Sequence, residues 1–206
     1  MTKRLKASER KASILTAAKI LFADKGYHGV SVDEIARRLG VSPAVLYRHF
    51  PSKEALYDEV LSVNATKRES YIEAILAEPD DFASVLKRMS IIFSENISSD
   101  PDYLRMEMMS ALENSQVAMS FFDRRWRSIT DFIEYQLDEI ELVSKRNGPN
   151  PMIASLMYRG MLREILYTKY VSKDDRYKDI SLKILIDEAV KTFMQTIVVQ
   201  QGKTVI

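Results

Sequence analysis

Apolar residues recur along this chain with a helical period almost throughout. Ile14, Ala18, Leu21 and Phe22 stand at i, i+4, i+7 and i+8, one stripe of a helix predicted from about Ser8 to Lys25. Ala17, Ala18 and Ala23 are small enough for another helix to cross closely. Ile35, Ala36 and Leu39 repeat the pattern over Val32–Leu39. No segment alternates apolar and polar residues between hairpin turns, so the pattern predicts an all-α protein of about nine helices.

The stops and starts sharpen this reading. Gly26 stands where a left-handed residue ends the first helix. Ser31 is an N-cap candidate with Glu34 three residues on, a capping box. Gly40 closes the second helix. Ser42 then caps a third, Pro43 occupies its first position, and Pro51 ends it after about His49. Ser52 caps the next. Leu46 and Phe50 can face inward from the short helix, but Val45, Tyr47, Arg48 and His49 cannot all be buried with them. Two turns of helix showing polar and aromatic groups make a poor core element. They suit the second member of a helix-turn-helix, which enters the major groove of DNA.

Further helices are expected from Ser52 to about Ala77, Phe82 to Ile97, Pro101 to Met119, Ser120 to Val143, Pro151 to Val171 and Ser181 to Gln200. Phe93, Met106, Met109, Met119, Phe122, Trp126 and Ile129 fall on the middle of these. Methionine and aromatic side chains can line an adaptable apolar cavity, or simply form core. Arg105, Glu107, Asn114, Gln116 and Tyr135 are candidate polar selectors. The last two helices carry wide apolar stripes. Adjacent apolar helices at a C-terminus suit a four-helix dimer interface, with Leu156, Gly160, Tyr167, Leu185, Ala189 and Phe193 as its candidate contacts.

Composition narrows the chemistry. The chain has 206 residues and no cysteine, which excludes disulfides, thiolate metal sites and a cysteine nucleophile. Residues 1–52 hold ten Lys/Arg and four acids, a net of +6, and the remainder holds twenty bases and twenty-five acids, a net of −5. A basic first quarter joined to an acidic remainder points the first part toward a polyanion. No apolar run approaches the roughly 18 residues of a membrane span. No secretory h-region opens the chain. A cytoplasmic location without membrane contact is therefore expected. The only histidines are His28 and His49, so the Glu-x-x-His pairs of a di-iron bundle are missing. No P-loop, nucleophile elbow or metal spacing appears. Neither an enzyme nor a metal or other cofactor is expected.

The stretch "GYHGVSVDEIARRLGVSPAVLYRHFPSKEALYDEVL" resembles the DNA-binding domain of the TetR (tetracycline-repressor) family of transcriptional regulators. The likeness runs from about Ile14 to Leu61. It implies an N-terminal three-helix DNA-binding domain over 1–52 and a helical ligand-binding and dimerisation domain over 53–206. It also implies roles. Ser31 offers a phosphate its hydroxyl or N–H. Ser42, Pro43, Ala44 and Val45 lie nearest base edges. Tyr47, His49 and Lys53 meet phosphates, and Arg48 meets a base or a phosphate. Lys3, Arg4 and Lys6 form a basic arm. Ala44 stands where family members often have glycine, so its methyl either crowds a phosphate or touches a thymine methyl. The implied function is a homodimeric repressor on a palindromic double-stranded operator, released by a small apolar or amphipathic effector. The alternative is a DNA-binding adaptor without an inducer that recruits a protein partner.

Overall fold

The computed structural model describes residues 6–63, 81–113, 116–144 and 149–199. Nine α-helices lie among the described residues. They are α1 (Ala7–Lys25), α2 (Val32–Leu39), α3 (Pro43–Tyr47), α4 (Lys53–Ser62), α5 (Phe82–Ser99), α6 (Asp102–Leu112), α7 (Gln116–Ser144), α8 (Pro151–Tyr167) and α9 (Leu182–Val199). The chain forms two compact units, Met1–Lys67 with Asp102–Phe122, and Arg68–Pro101 with Asp123–Ile206.

The first unit is built on the stripe read from α1. Ile14, Ala18, Leu21 and Phe22 are buried and pack with Ile35 and Ala36 of α2, Leu46 of α3, and Leu56, Tyr57, Val60 and Leu61 of α4. Met106 of α6 and Phe122 of α7 complete this core. Leu39 is only partly buried, because it lies at the end of a helix of 8 residues. The α4 backbone accepts from α6, where the Tyr103 hydroxyl donates to the Val60 carbonyl at 2.9 Å.

The second unit packs α5, α8 and α9 with the body of α7. Val85, Leu86, Met89, Phe93 and Ile97 face inward from α5. Trp126, Ile129 and Ile133 of α7, Tyr158 and Leu162 of α8, and Ile186, Val190, Phe193 and Ile197 of α9 are buried with them in the unit. The Phe93 and Trp126 ring centroids are 4.4 Å apart, and Tyr158 and Phe193 are 4.9 Å apart. Inside this apolar volume Tyr158 Oη and Ser90 Oγ share a hydrogen bond of 2.8 Å, so neither hydroxyl is left unsatisfied. Asp123 joins Arg159 at 3.0 Å and Arg127 at 3.5 Å.

In these units the helix boundaries differ from the sequence expectation in two places. The stretch expected as one helix from Pro101 to Met119 ends at Leu112, and Met119 belongs to α7. Glu113, the residue after Leu112, turns its carboxylate to the α1–α2 turn. The helix from Pro151 keeps α geometry to Tyr167 and closes with a π turn over Thr168–Ser172, followed by Lys173 at φ 53°. Lys169 supports the connection that follows, donating from Nζ to the carbonyls of Tyr177, Lys178 and Ile180 at 3.1, 2.9 and 2.8 Å. The α4 helix is described to Ser62, and the rest of its expected length, to Ala77, lies outside the described residues. Lys3, Arg4 and Asn114 lie there too.

Candidate nucleic-acid interface

Residues 31–53 build a sharply cornered helix pair. Ser31 has an extended backbone and its Oγ accepts from Glu34 N–H at 3.1 Å, the first half of the expected capping box. The Glu34 carboxylate also pairs with Lys25; this bond and the Lys25 charge, with a smaller contribution from the Ser31 backbone N–H, hold its carboxyl below the usual carboxylate range. A full cation is the stronger partner for a carboxylate than a backbone N–H.

α2 closes in a Schellman motif. Gly40 sits at φ 66°, ψ 34°, its N–H donates to Arg37 O at 3.2 Å, and Val41 N–H donates to Ala36 O at 3.0 Å. Two residues later α3 begins. Ser42 holds the extended N-cap conformation, yet its hydroxyl makes no cap bond, and Pro43 occupies the first turn. α3 is shorter than expected. It ends at Tyr47 with Arg48 as C-cap, because both His49 N–H and Phe50 N–H turn back to Leu46 O at 2.9 Å.

This geometry sorts the candidate residues. Leu46 and Phe50 are buried and anchor the helix in the first unit's core. Ser31, Ser42, Ala44, Tyr47 and Arg48 are exposed, while Pro43, Val45 and His49 are half-buried. Ala44, Tyr47 and Arg48 stand at i, i+3 and i+4, one outward face of a single turn. Arg37 and Arg38 are exposed on the last turn of α2 and add two cations that the sequence reading did not single out. Their place in the last turn of α2, opposite its acidic first turn, is the signal that marks them.

Lys53 is placed differently from the other candidates. Its Nζ donates to the carbonyls of Tyr27 at 2.9 Å and Val30 at 3.0 Å. Three hydrogen-bond donors leave one for any further partner.

The effector candidates fall in both units. Met106 and Phe122 belong to the first unit's core, Met109 is half-buried in that unit, and Met119 is exposed there. Phe93, Trp126 and Ile129 are buried in the second. A groove of about 560 Å³ in the second unit runs between α5 and α9, lined by Ala83, Ser84, Lys87, Val190, Lys191 and Met194 among others. None of the seven candidates lines it. Among the described residues no group of three or more His, Asp or Glu is placed to hold a metal ion, and no helix is long and apolar enough to cross a membrane.

Of the six candidate dimer contacts, Leu156 and Gly160 are exposed, Tyr167 and Leu185 are half-buried, and Ala189 and Phe193 are buried within the unit. Met152, Ile153 and Met157 of α8 and Ile184 of α9 are also exposed. An amphipathic stripe read from sequence does not distinguish the side of a wide apolar face that packs inward from the side left outside. That is why Phe193 and Leu156 look alike there.

Residues 14–60 match the family described as bacterial regulatory proteins, tetR family. This segment carries the TetR-family DNA-binding pattern. The chain is 38% identical over 103 residues to the HTH-type transcriptional activator FasR of Mycolicibacterium smegmatis, covering 50% of this chain and 47% of that one. The match thus spans about half of that relative's length. Against the HTH-type transcriptional regulator UidR of Escherichia coli K12 the identity is 26% over 164 residues, 78% of this chain and 80% of UidR. A solved structure of a TetR-family transcriptional regulator from Streptomyces coelicolor superposes with a TM-score of 0.64 at 18% identity, over 96% of this chain and 84% of that chain. At that identity the likeness is one of fold, and it extends well past the segment where the TetR sequence pattern is strong.

Proposed function

We propose that this chain is a TetR-family transcriptional regulator that binds duplex DNA as a homodimer. The observation that carries the reading is α3, a five-residue helix set between a Schellman turn and Pro51, with Ala44, Tyr47 and Arg48 on its outer face. In this reading Ser42, Pro43, Ala44 and Val45 approach base edges. Tyr47, His49, Ser31 and the α2 arginines meet phosphates, and Arg48 meets either. Phosphate contacts position the protein and base contacts specify the site. Residues 1–52 are the DNA-binding part and 53–206 the part that senses and dimerises. The protein acts in the cytoplasm, as a binder and not as an enzyme.

The exposed apolar residues Met152, Ile153, Leu156 and Met157 on one face of α8 support dimerisation through the last two helices. Two-fold symmetry then requires a palindromic operator with half-sites about one helical turn or somewhat more apart. A small apolar or amphipathic effector favours a dimer state whose reading helices no longer fit successive grooves. A hundredfold loss of DNA affinity requires about 2.7 kcal/mol of differential effector binding. Repression is the outcome where the operator overlaps a promoter.

Selection of genomic fragments by the purified protein tests the reading. The expected result is a palindromic duplex whose affinity falls steeply with salt, with a slope near −6 for about seven phosphate contacts. A monomeric protein, or one that retains no duplex at low ionic strength, would sink it.

A further inference from the structure

The turn between α1 and α2 is held from two sides by charged groups distant in sequence. Tyr27 N–H donates to Glu113 Oε2 at 2.9 Å, and His28 N–H donates to Glu113 Oε1 at 2.8 Å. Glu113 directly follows α6, and its own N–H is bonded to Met109 O at 2.9 Å. From the other side Lys53 donates to the carbonyls of Tyr27 and Val30. Val30 immediately precedes Ser31, the N-cap of α2. Four backbone polar groups of one short turn therefore end on two side chains.

Gly26 shows how closely the carboxylate approaches. Its φ is +72°, and a Cβ there would lie 2.3 Å from Glu113 Oε1. The two N–H groups belong to successive residues, so a carboxylate that accepts both fixes the orientation of two peptide planes as well as their distance. α2 starts within five residues of that point, and the Schellman corner passes its direction to α3 without a flexible joint. α6 meets the same module at two more points. Tyr103 donates to Val60 O, and Asp102 lies 3.9 Å from Lys19 of α1.

We propose that Glu113 is a positioning residue for DNA recognition. It fixes the α1–α2 turn against α6 and so sets the angle at which α2 and α3 present their outer face. The inference rests on the DNA-binding reading above. It assigns to a residue outside the helix-turn-helix a part in specificity, through geometry and not through contact. A carboxylate that only stabilised the fold would act on folded fraction alone.

The experiment separates the two. The probe is the tightest duplex that the wild-type protein selects from a random 30-base-pair library. An unrelated duplex of equal length serves as the non-specific control. Glu113→Gln keeps the size but places an NH₂ against one of the two N–H donors. The expected result is at least a tenfold loss of affinity for the selected duplex with unchanged affinity for the control. Amide exchange at Tyr27 and His28 should also speed up. Wild-type affinity for the selected duplex, or equal losses on both duplexes, would overturn the proposal. Should the glutamine variant not fold, Glu113→Asp keeps both oxygens and withdraws them by one methylene. A folded aspartate variant with a selective loss supports the proposal, and one with wild-type affinity and specificity overturns it. A wild-type protein that selects no duplex overturns the DNA-binding reading itself, a separate result.

Discussion

The ammonium of Lys53 lies 4.1 Å from the centroid of the Tyr27 ring while it donates to the Tyr27 carbonyl oxygen at 2.9 Å. One side chain thus grips both the ring and the backbone of the same residue. Its charge is directed to the α1–α2 turn. Lys53→Met keeps the stem and removes the charge. Hydrogen bonds to a charged group contribute about 1.5–3 kcal/mol when buried and less when half-exposed, so unfolding in urea should show a loss of about 1–2 kcal/mol. The salt slope of duplex binding should stay unchanged. A slope flatter by about 0.9 for each protomer would mean that Lys53 neutralises a phosphate instead.

Tyr47 is 54% exposed and outside the buried core of its unit, as the proposed contact with DNA requires. Tyr47→Ala should lower affinity for the selected duplex at least tenfold. Its unfolding free energy should change by about 0.5 kcal/mol or less, the usual range for a surface substitution. A collapse of the thermal transition would place Tyr47 in the core.

Leu156 and Phe193 separate assembly from folding. Leu156 is 63% exposed on α8, whereas Phe193 is buried against Tyr158. Leu156→Asp should turn a dimer into a monomer in sedimentation with its helix content retained. Phe193→Ala should cost about 3–5 kcal/mol of stability, because a core aromatic leaves a cavity that neighbours fill only in part. A Leu156→Asp protein that still sediments as a dimer would move the interface elsewhere.

Alkaline pH should destabilise the protein through Tyr57 and Tyr158. Burial raises both phenols above their ordinary value of 10.0. Their folded pKa exceeds the unfolded one, so their contribution is fully present below pH 10 and lost as pH rises beyond it. There the unfolded chain releases protons that the native state retains. Each group can steepen the loss by up to about 1.4 kcal/mol per pH unit. Tyr158→Phe should remove one of the two contributions, and chemical denaturation at two alkaline pH values measures it.

The helices were legible because each carries its own punctuation. Gly40, Ser42–Pro43, Pro51 and Ser52 mark corners by local chemistry alone, and the structure follows them within one or two residues. Glu113 was not legible in this way. Its partners, Tyr27 and His28, are 86 and 85 residues away, and a carboxylate after a helix gives no hint of a backbone target. The Lys25 partner of Glu34 was not legible for a related reason. A capping box is a local pattern, but Lys25 lies close only once α1 and α2 have folded together. The cavity candidates shared a further limit. Methionine and aromatic residues look the same from sequence whether they fill a core, as Met106 does, or face solvent, as Met119 does.

The bonds from Lys169 gather three carbonyls of the joint between α8 and α9 onto one charge. Each carbonyl takes one of the ammonium's three donors, so the nitrogen has none to spare. Any chemistry that neutralised that amine would leave fewer donors than carbonyls and remove the charge that strengthens all three bonds.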